Sequence, residues 1–281
     1  SGLSSYLMRG NQVHTNSGTI NNKLLISILL LEGASVMFVE LAAARMISPY
    51  YGATLTTWAA VLGVTMSSLA LGYLIGGKLA DKSKNPLNLL QVILFLCSMA
   101  VLLMPYWANY FMFRFTALPL QANILLLTFI VLFVPLLLFG TIPQIVIKIL
   151  SLYPETTGKV TGFAYAISTI GGIAGTLITG FFIIPSFGIS FPVIAAGIII
   201  FAFPCYSLLI KQKKWSLLLF VPVLLLVIKN NYKASDFKSN IIVRSFEEGL
   251  LGQIMVADFP AKDSTQYTRL LMINRMPETS M

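Results

Sequence analysis

Apolar runs separated by short polar connections fill the chain from Leu24 to Ile228. The runs cover residues 24–47, 56–77, 87–107, 122–149, 160–184, 189–210 and 215–228. A bilayer core about 30 Å thick needs about 20 helical residues, and each of the first six runs is long enough. Run 215–228 reaches only about 21 Å at about 1.5 Å per residue. The pattern therefore predicts an all-α integral membrane bundle of six or seven transmembrane helices. The seventh run is either a short span or an interfacial or re-entrant helix.

Beyond Lys229 the pattern changes. Alternation in Gln253-Ile254-Met255-Val256 and in Arg269-Leu270-Leu271-Met272-Ile273 predicts short strands. With the polar stretch 260–266 between them they would form a β-hairpin, a partial β segment at the C-terminal end. The predicted organisation is a polar segment 1–22, a transmembrane domain 23–232, and the start of a soluble domain at 233–281. Segment 1–22 lacks the apolar centre of a signal peptide. It opens on Ser-Gly, which suggests either a tag remnant over residues 1–7 or a sequence that begins inside a longer protein.

Composition agrees with a membrane protein. The chain has 281 residues, 57% hydrophobic and only 10% charged, where soluble domains carry about 25% charged residues. The net charge of +9 does not point to nucleic acid, because the basic residues sit between apolar runs, where they set topology. With the N-terminus on the cytoplasmic side, the inner segments hold Arg9, Lys23, Lys78, Lys82, Lys84, Lys148, Lys159, Lys211, Lys213 and Lys214. The outer ones hold Arg45 and Arg114. That bias predicts a bacterial-type inner membrane protein with a cytoplasmic N-terminus. Trp58, Trp107 and Trp215 fall at run ends, as interfacial aromatics do. The side of the tail stays open, since six and seven spans give opposite answers.

Small residues recur at helix-packing intervals. Ser68, Gly72, Gly76 and Ala80 form one stripe, and Gly158, Gly162, Gly171, Gly172, Gly175 and Gly180 populate the fifth run. Such residues let helices approach closely, either within one bundle or across a dimer seam. Pro135, Pro143 and Pro204 lie inside apolar runs and should kink their helices.

The first run carries Glu32, Glu40 and Arg45. Ionisable groups inside a membrane cost about 2.5–3.5 kcal/mol each on insertion scales and are usually paired or functional. At about 100° per residue, Glu32 and Glu40 lie about 80° apart on the helix and can face one crevice. One reading is a polar intramembrane site for an amine or a proton. The other is structural: hydrogen bonds to neighbouring helices, or a Glu40–Arg45 lock near the outer end. A second constellation, Gly77-Lys78-Leu79-Ala80-Asp81-Lys82-Ser83-Lys84, reads as a cytoplasmic loop in which Asp81 can accept from a helix N-terminus. Cys97 and Cys205 read as small buried side chains. The single histidine, His14, lies outside the apolar runs, so no His-based metal site is expected among them. No nucleophile elbow or phosphate-binding lysine motif occurs, and no catalytic residue is assigned.

The run Glu40-x4-Arg45-x3-Pro49-x2-Gly52, then Trp58, then Leu71-Gly72-Tyr73-x2-Gly76-Gly77-x2-Ala80-Asp81 resembles the fused membrane spermidine synthase-like family. In that family a membrane module precedes an aminopropyltransferase-like domain. The stretch from Gly77 to Lys84 also resembles the loop between helices two and three of major facilitator transporters, with Lys84 where glycine is usual. In the tail, Glu247-Glu248-Gly249-Leu250-Leu251-Gly252-Gln253 and Arg269-Leu270-Leu271-Met272-Ile273-Asn274 are similar to the first strands of the synthase-like domain. The resemblance implies a half-major-facilitator-like bundle that anchors such a domain and passes small amines to it. The family's nucleotide-binding glycine loop and amine-binding carboxylates are not in this sequence, so no cofactor is expected in it and enzyme activity stays open. The alternatives are a non-catalytic scaffold binding a separate soluble or membrane partner, and a half-size transporter acting as a homo-oligomer in the lipid bilayer.

Overall fold

The computed structural model describes residues 13–15, 18–20, 22–112, 119–151, 157–207, 242–249, 252–260, 267–273 and 276–280. The run 215–228 lies outside them. Two short strands, β1 (Val13–Thr15) and β2 (Gly18–Ile20), pair antiparallel ahead of the first helix. The segment predicted as merely polar therefore holds a small hairpin.

The long helices are α1 (Asn22–Tyr51), α2 (Leu55–Lys82), α3 (Pro86–Met112), α4 (Leu120–Leu150) and α5 (Thr157–Ile178). A π turn, Thr179–Ile183, carries α5 into α6 (Ile184–Phe187), and α7 is Ser190–Ser207. Helices α1 to α5 overrun the predicted runs at one or both ends, because polar flanking residues continue the backbone ladder past the apolar stretch, while α7 lies within the run 189–210. The largest difference is at Gly77, Asp81 and Lys82. They belong to the last turns of α2 rather than to a loop, which is only 83–85. Nothing between Gly77 and Lys82 breaks a helix, and Lys82 in the last turn complements its dipole.

Turn chemistry sets the corners. Gly52 takes φ +78°, a conformation costly for any other residue, and Thr54 caps α2 by accepting from the Thr57 N–H at 3.3 Å. Gly188 (φ +79°) ends α6. In the π turn the Ile184 N–H donates to the Thr179 carbonyl, one residue further back than in an α-helix. Pro185 follows immediately and has no N–H to donate.

Among the described residues five helical stretches, with α5 to α6 counted as one, are long and apolar enough to cross a membrane by length and composition, and where the sequence predicts a sixth span α7 holds the shorter apolar stretch Phe191–Pro204. Helix α1 is the centre of the bundle. It packs on α5 and α7, and also on α4 and α2, while α2 lies along α4 and α3 fits against α4 and α7. Leu25, Leu29, Val39 and Ile47 of α1 meet Leu90, Leu94, Leu132, Leu136 and Phe139 in one buried cluster. In lipid, dispersion and close packing hold such helices together, because lipid tails are as apolar as the core.

The C-terminal segment is a four-stranded antiparallel meander, β3 (Ile242–Gly249), β4 (Gly252–Pro260), β5 (Tyr267–Ile273) and β6 (Met276–Ser280). The expected hairpin is its central pair, in which Val256 faces Leu271 and Asp258 faces Arg269. Two further strands flank it, so the hairpin expectation was too small. Met255, Ala257 and Met272 make the sheet's own small core.

Candidate functional site

The site is assembled where glycines bring backbones together. On the α1–α5 seam, a Cβ added to Gly33 would strike the Ser168 carbonyl oxygen, and one added to Gly171 would strike that of Leu30. At Gly175 the added Cβ would sit 2.7 Å from the Ala34 Cα. A second seam joins α2 to α4: Gly72 meets Leu137 and Gly140, and Gly76 lies against Thr141. Ser68 is fully buried and donates to the Val64 carbonyl at 2.6 Å. By contrast, Gly158, Gly162 and Gly180 face open space within the chain. The periodic small residues therefore divide into two internal seams and an unused set.

Close approach of α5 sets up the first carboxylate. Glu32 is 3% exposed, and the Ser168 hydroxyl donates to its Oε2 at 2.7 Å. Tyr73 of α2 lies within electrostatic reach of Glu32, as does the buried Cys97 of α3. The Tyr73 and Tyr165 rings meet edge to face with centroids 5.8 Å apart. Gln144 of α4 donates to the Tyr165 hydroxyl. Four helices thus contribute polar groups around Glu32. Tyr73, Tyr165, Gln144 and Ser168 are half-buried, so the cluster runs from a buried carboxylate toward the bundle surface.

Glu40 is also buried and lies close to the Thr65 hydroxyl of α2, short of full hydrogen-bond geometry. Both carboxylates face α2, Glu32 at the level of Tyr73 and Glu40 at that of Thr65. The two levels are about 12 Å apart along the helix axis at about 1.5 Å per residue. The shared crevice expected from the sequence is thus one helix seam with two separate polar positions. Ser35, between the glutamates and one turn from Glu32, is fully buried, and its hydroxyl has no hydrogen-bond partner among the described residues. Arg45 is half-buried near the far end of α1.

Asp81 does not meet a helix N-terminus. It accepts from Lys148 Nζ at 2.8 Å, which ties the C-terminal ends of α2 and α4 together. Both partners are well exposed (48% and 74%), and exposed pairs contribute about 0–1 kcal/mol.

A charge network that the sequence reading missed lies in the sheet. Asp258 is 3% exposed and accepts from Arg269 Nε at 2.7 Å and from Arg244 Nε at 2.8 Å. These bonds, the Arg269 one first, hold its carboxyl well below the usual carboxylate range and raise the Arg269 guanidinium. The available signal was Arg244 and Arg269 on strands either side of Asp258, visible only once β3 is recognised. Among the described residues no group of three or more His, Cys, Asp or Glu side chains could hold a metal ion. No family model, curated protein or solved structure matches this chain.

Proposed function

We propose that this chain is the membrane module of a spermidine synthase-like protein, whose polar intramembrane site at Glu32 takes up a small protonated amine. In this reading the bundle spans a bacterial-type inner membrane with the N-terminus and the lysine-rich ends in the cytoplasm. It anchors a synthase-like domain begun by the C-terminal sheet and passes amines toward it. The observation that carries the site is the buried Glu32 carboxylate. Among the described residues its neutral donor is Ser168 and it has no basic ion-pair partner, and Tyr73, Tyr165 and Gln144 lead outward from it. An ammonium with several N–H donors suits such a group, because a paired charge in an apolar site is far less costly than a lone one. The unmet Ser35 hydroxyl offers a further contact one turn away.

The membrane reading is supported by the side chains turned outward from the helices. Leu74 is 64% exposed and Phe181 72%, alongside Met66, Ile173 and Phe182. Together they form apolar surface well beyond what a soluble monomer tolerates. The same faces of α2 and α5 favour the second reading, a half-size transporter in which a second copy covers them.

The test is amine binding and uptake in proteoliposomes, with putrescine as the probe. Glu32→Gln should lose at least about tenfold in affinity, the scale of a lost buried charge-assisted contact. Glu40→Gln, a separate level of the bundle, should lose much less. Equal binding by wild type and Glu32→Gln sinks the amine site.

A further inference from the structure

The ends of the bundle can be told apart from contacts among described residues. Leu30 meets Gly171 and Ala34 meets Gly175, so α1 and α5 run parallel. Gly72 meets Gly140 and Gly76 meets Thr141, so α2 and α4 also run parallel, and the Asp81–Lys148 pair joins their C-terminal ends. Lys23, Lys82, Lys148 and Lys159 therefore share one end of the bundle, the end where α1 and α5 begin. Helix α7 runs antiparallel to α3: Gly197 packs on Leu102, and further along the Phe201 ring lies 6.2 Å from that of Phe95. Ser207 thus returns to the lysine-bearing end.

The sheet is found at the other end. Strand β3 contacts α6 (Ile184–Phe187), the last turn of the rod that begins with α5. The rod from Thr157 to Phe187 is about 46 Å long at about 1.5 Å per residue, more than the bilayer core of about 30 Å. Strand β4 contacts α1, which runs parallel to that rod.

We infer that the C-terminal sheet lies on the membrane face opposite the N-terminal end of α1 and the lysine-bearing helix ends. This rests on the membrane reading above. Ser207 lies at the lysine face and Ile242, at the start of β3, at the opposite one. With lysines inside, the sheet and its Arg244–Asp258–Arg269 network face away from the cytoplasm. A domain continuing from this sheet then draws its substrates from the outer compartment, and the Glu32 site becomes a step between the two sides.

The experiment uses the full chain with both cysteines replaced by serine and single cysteines introduced as Lys84→Cys and Ser245→Cys. Both positions are exposed. Intact and permeabilised cells are treated with a membrane-impermeant maleimide. Ser245→Cys should label at least about tenfold more than Lys84→Cys in intact cells, and the two should label equally after permeabilisation. Labelling from the same side overturns the inference. The reverse pattern upholds opposite faces and overturns the cytoplasmic N-terminus. Alkaline extraction of the same membranes separates the two failures: release of the chain sinks the membrane reading, while retention with same-sided labels sinks only the sheet's placement. A phosphatase joined after Met281 gives a second readout with the native cysteines kept. An active fusion supports the inference, and an inactive but stably expressed one overturns it.

Discussion

Replacing seam glycines by alanine should reverse the sign that helix propensity alone predicts. In an open helix position Gly→Ala gains up to about 1 kcal/mol, and Gly162, with nothing within 4 Å of an added Cβ, is such a position. At Gly175 the new Cβ would sit 2.7 Å from the Ala34 Cα. Carbon pairs prefer about 3.5–4.0 Å, so α1 and α5 must part by about 0.8 Å or more. Overpacking of this kind costs about 1–3 kcal/mol. After the propensity gain, Gly175→Ala should destabilise by up to about 2 kcal/mol. Gly33→Ala meets backbone more closely still and belongs at the upper end. It should also push Ser168 out of reach of Glu32, so amine binding should fall with stability. Thermal unfolding of the detergent-solubilised chain reads the effect, at about 2–4 °C per kcal/mol for a chain of this order of size. The expected order of Tm is Gly162→Ala highest, then wild type, then Gly175→Ala, then Gly33→Ala. If Gly33→Ala or Gly175→Ala melts at or above Gly162→Ala, the seam geometry is wrong.

Asp81→Ala removes an exposed ion pair and should change stability by less than about 1 kcal/mol; a Tm loss comparable to Gly33→Ala would show that the α2–α4 tie matters more than its exposure suggests. Asp258, with a folded pKa below its unfolded value near 3.9, stabilises the sheet fully above that pH and loses the effect as pH falls through the folded value. Hydrogen exchange of strands β3 to β5 in the full chain should stay protected from pH 7 down to about 4 and weaken below it. Asp258→Asn should expose the same strands several-fold more at pH 7, and an unchanged exchange pattern would show that the arginines do not depend on it.

The apolar runs were legible because hydropathy over about 20 residues needs no partner to be read. Helix ends were not, since Lys78 and Lys82 look like loop residues until Ser83 is seen to end the ladder. The central strands β4 and β5 carried alternation. Strand β3, with Arg244, Glu247 and Glu248, and strand β6, with Pro277, carry no such alternation, although an edge strand tolerates both charge and proline. Glu32 and Glu40 were found by cost alone. Tyr73, Tyr165, Gln144 and Ser168 were missed because single polar residues in an apolar run are common, and their convergence depends on which helices are neighbours.

That convergence has a local cause. Gly33 follows Glu32, Gly72 precedes Tyr73, Gly140 lies one turn before Gln144, and Gly171 lies one turn after Ser168. Glu32, Tyr73, Gln144 and Ser168 each have a seam glycine on their own helix within four residues, whereas Tyr165 lies six from Gly171. A serine hydroxyl is short, and it reaches a carboxylate on another helix only where the two backbones nearly touch, as Gly33 allows at Ser168. The α2–α4 seam does the same for Tyr73 and Gln144, holding at fixed separation the two side chains that contact Tyr165. The small-residue pattern and Glu32 of the first helix are therefore one device. Widening a seam by less than an ångström should loosen the Glu32 contacts before it unfolds the bundle, because a hydrogen bond at 2.7 Å fails over a shorter distance than dispersion contacts spread along a whole helix.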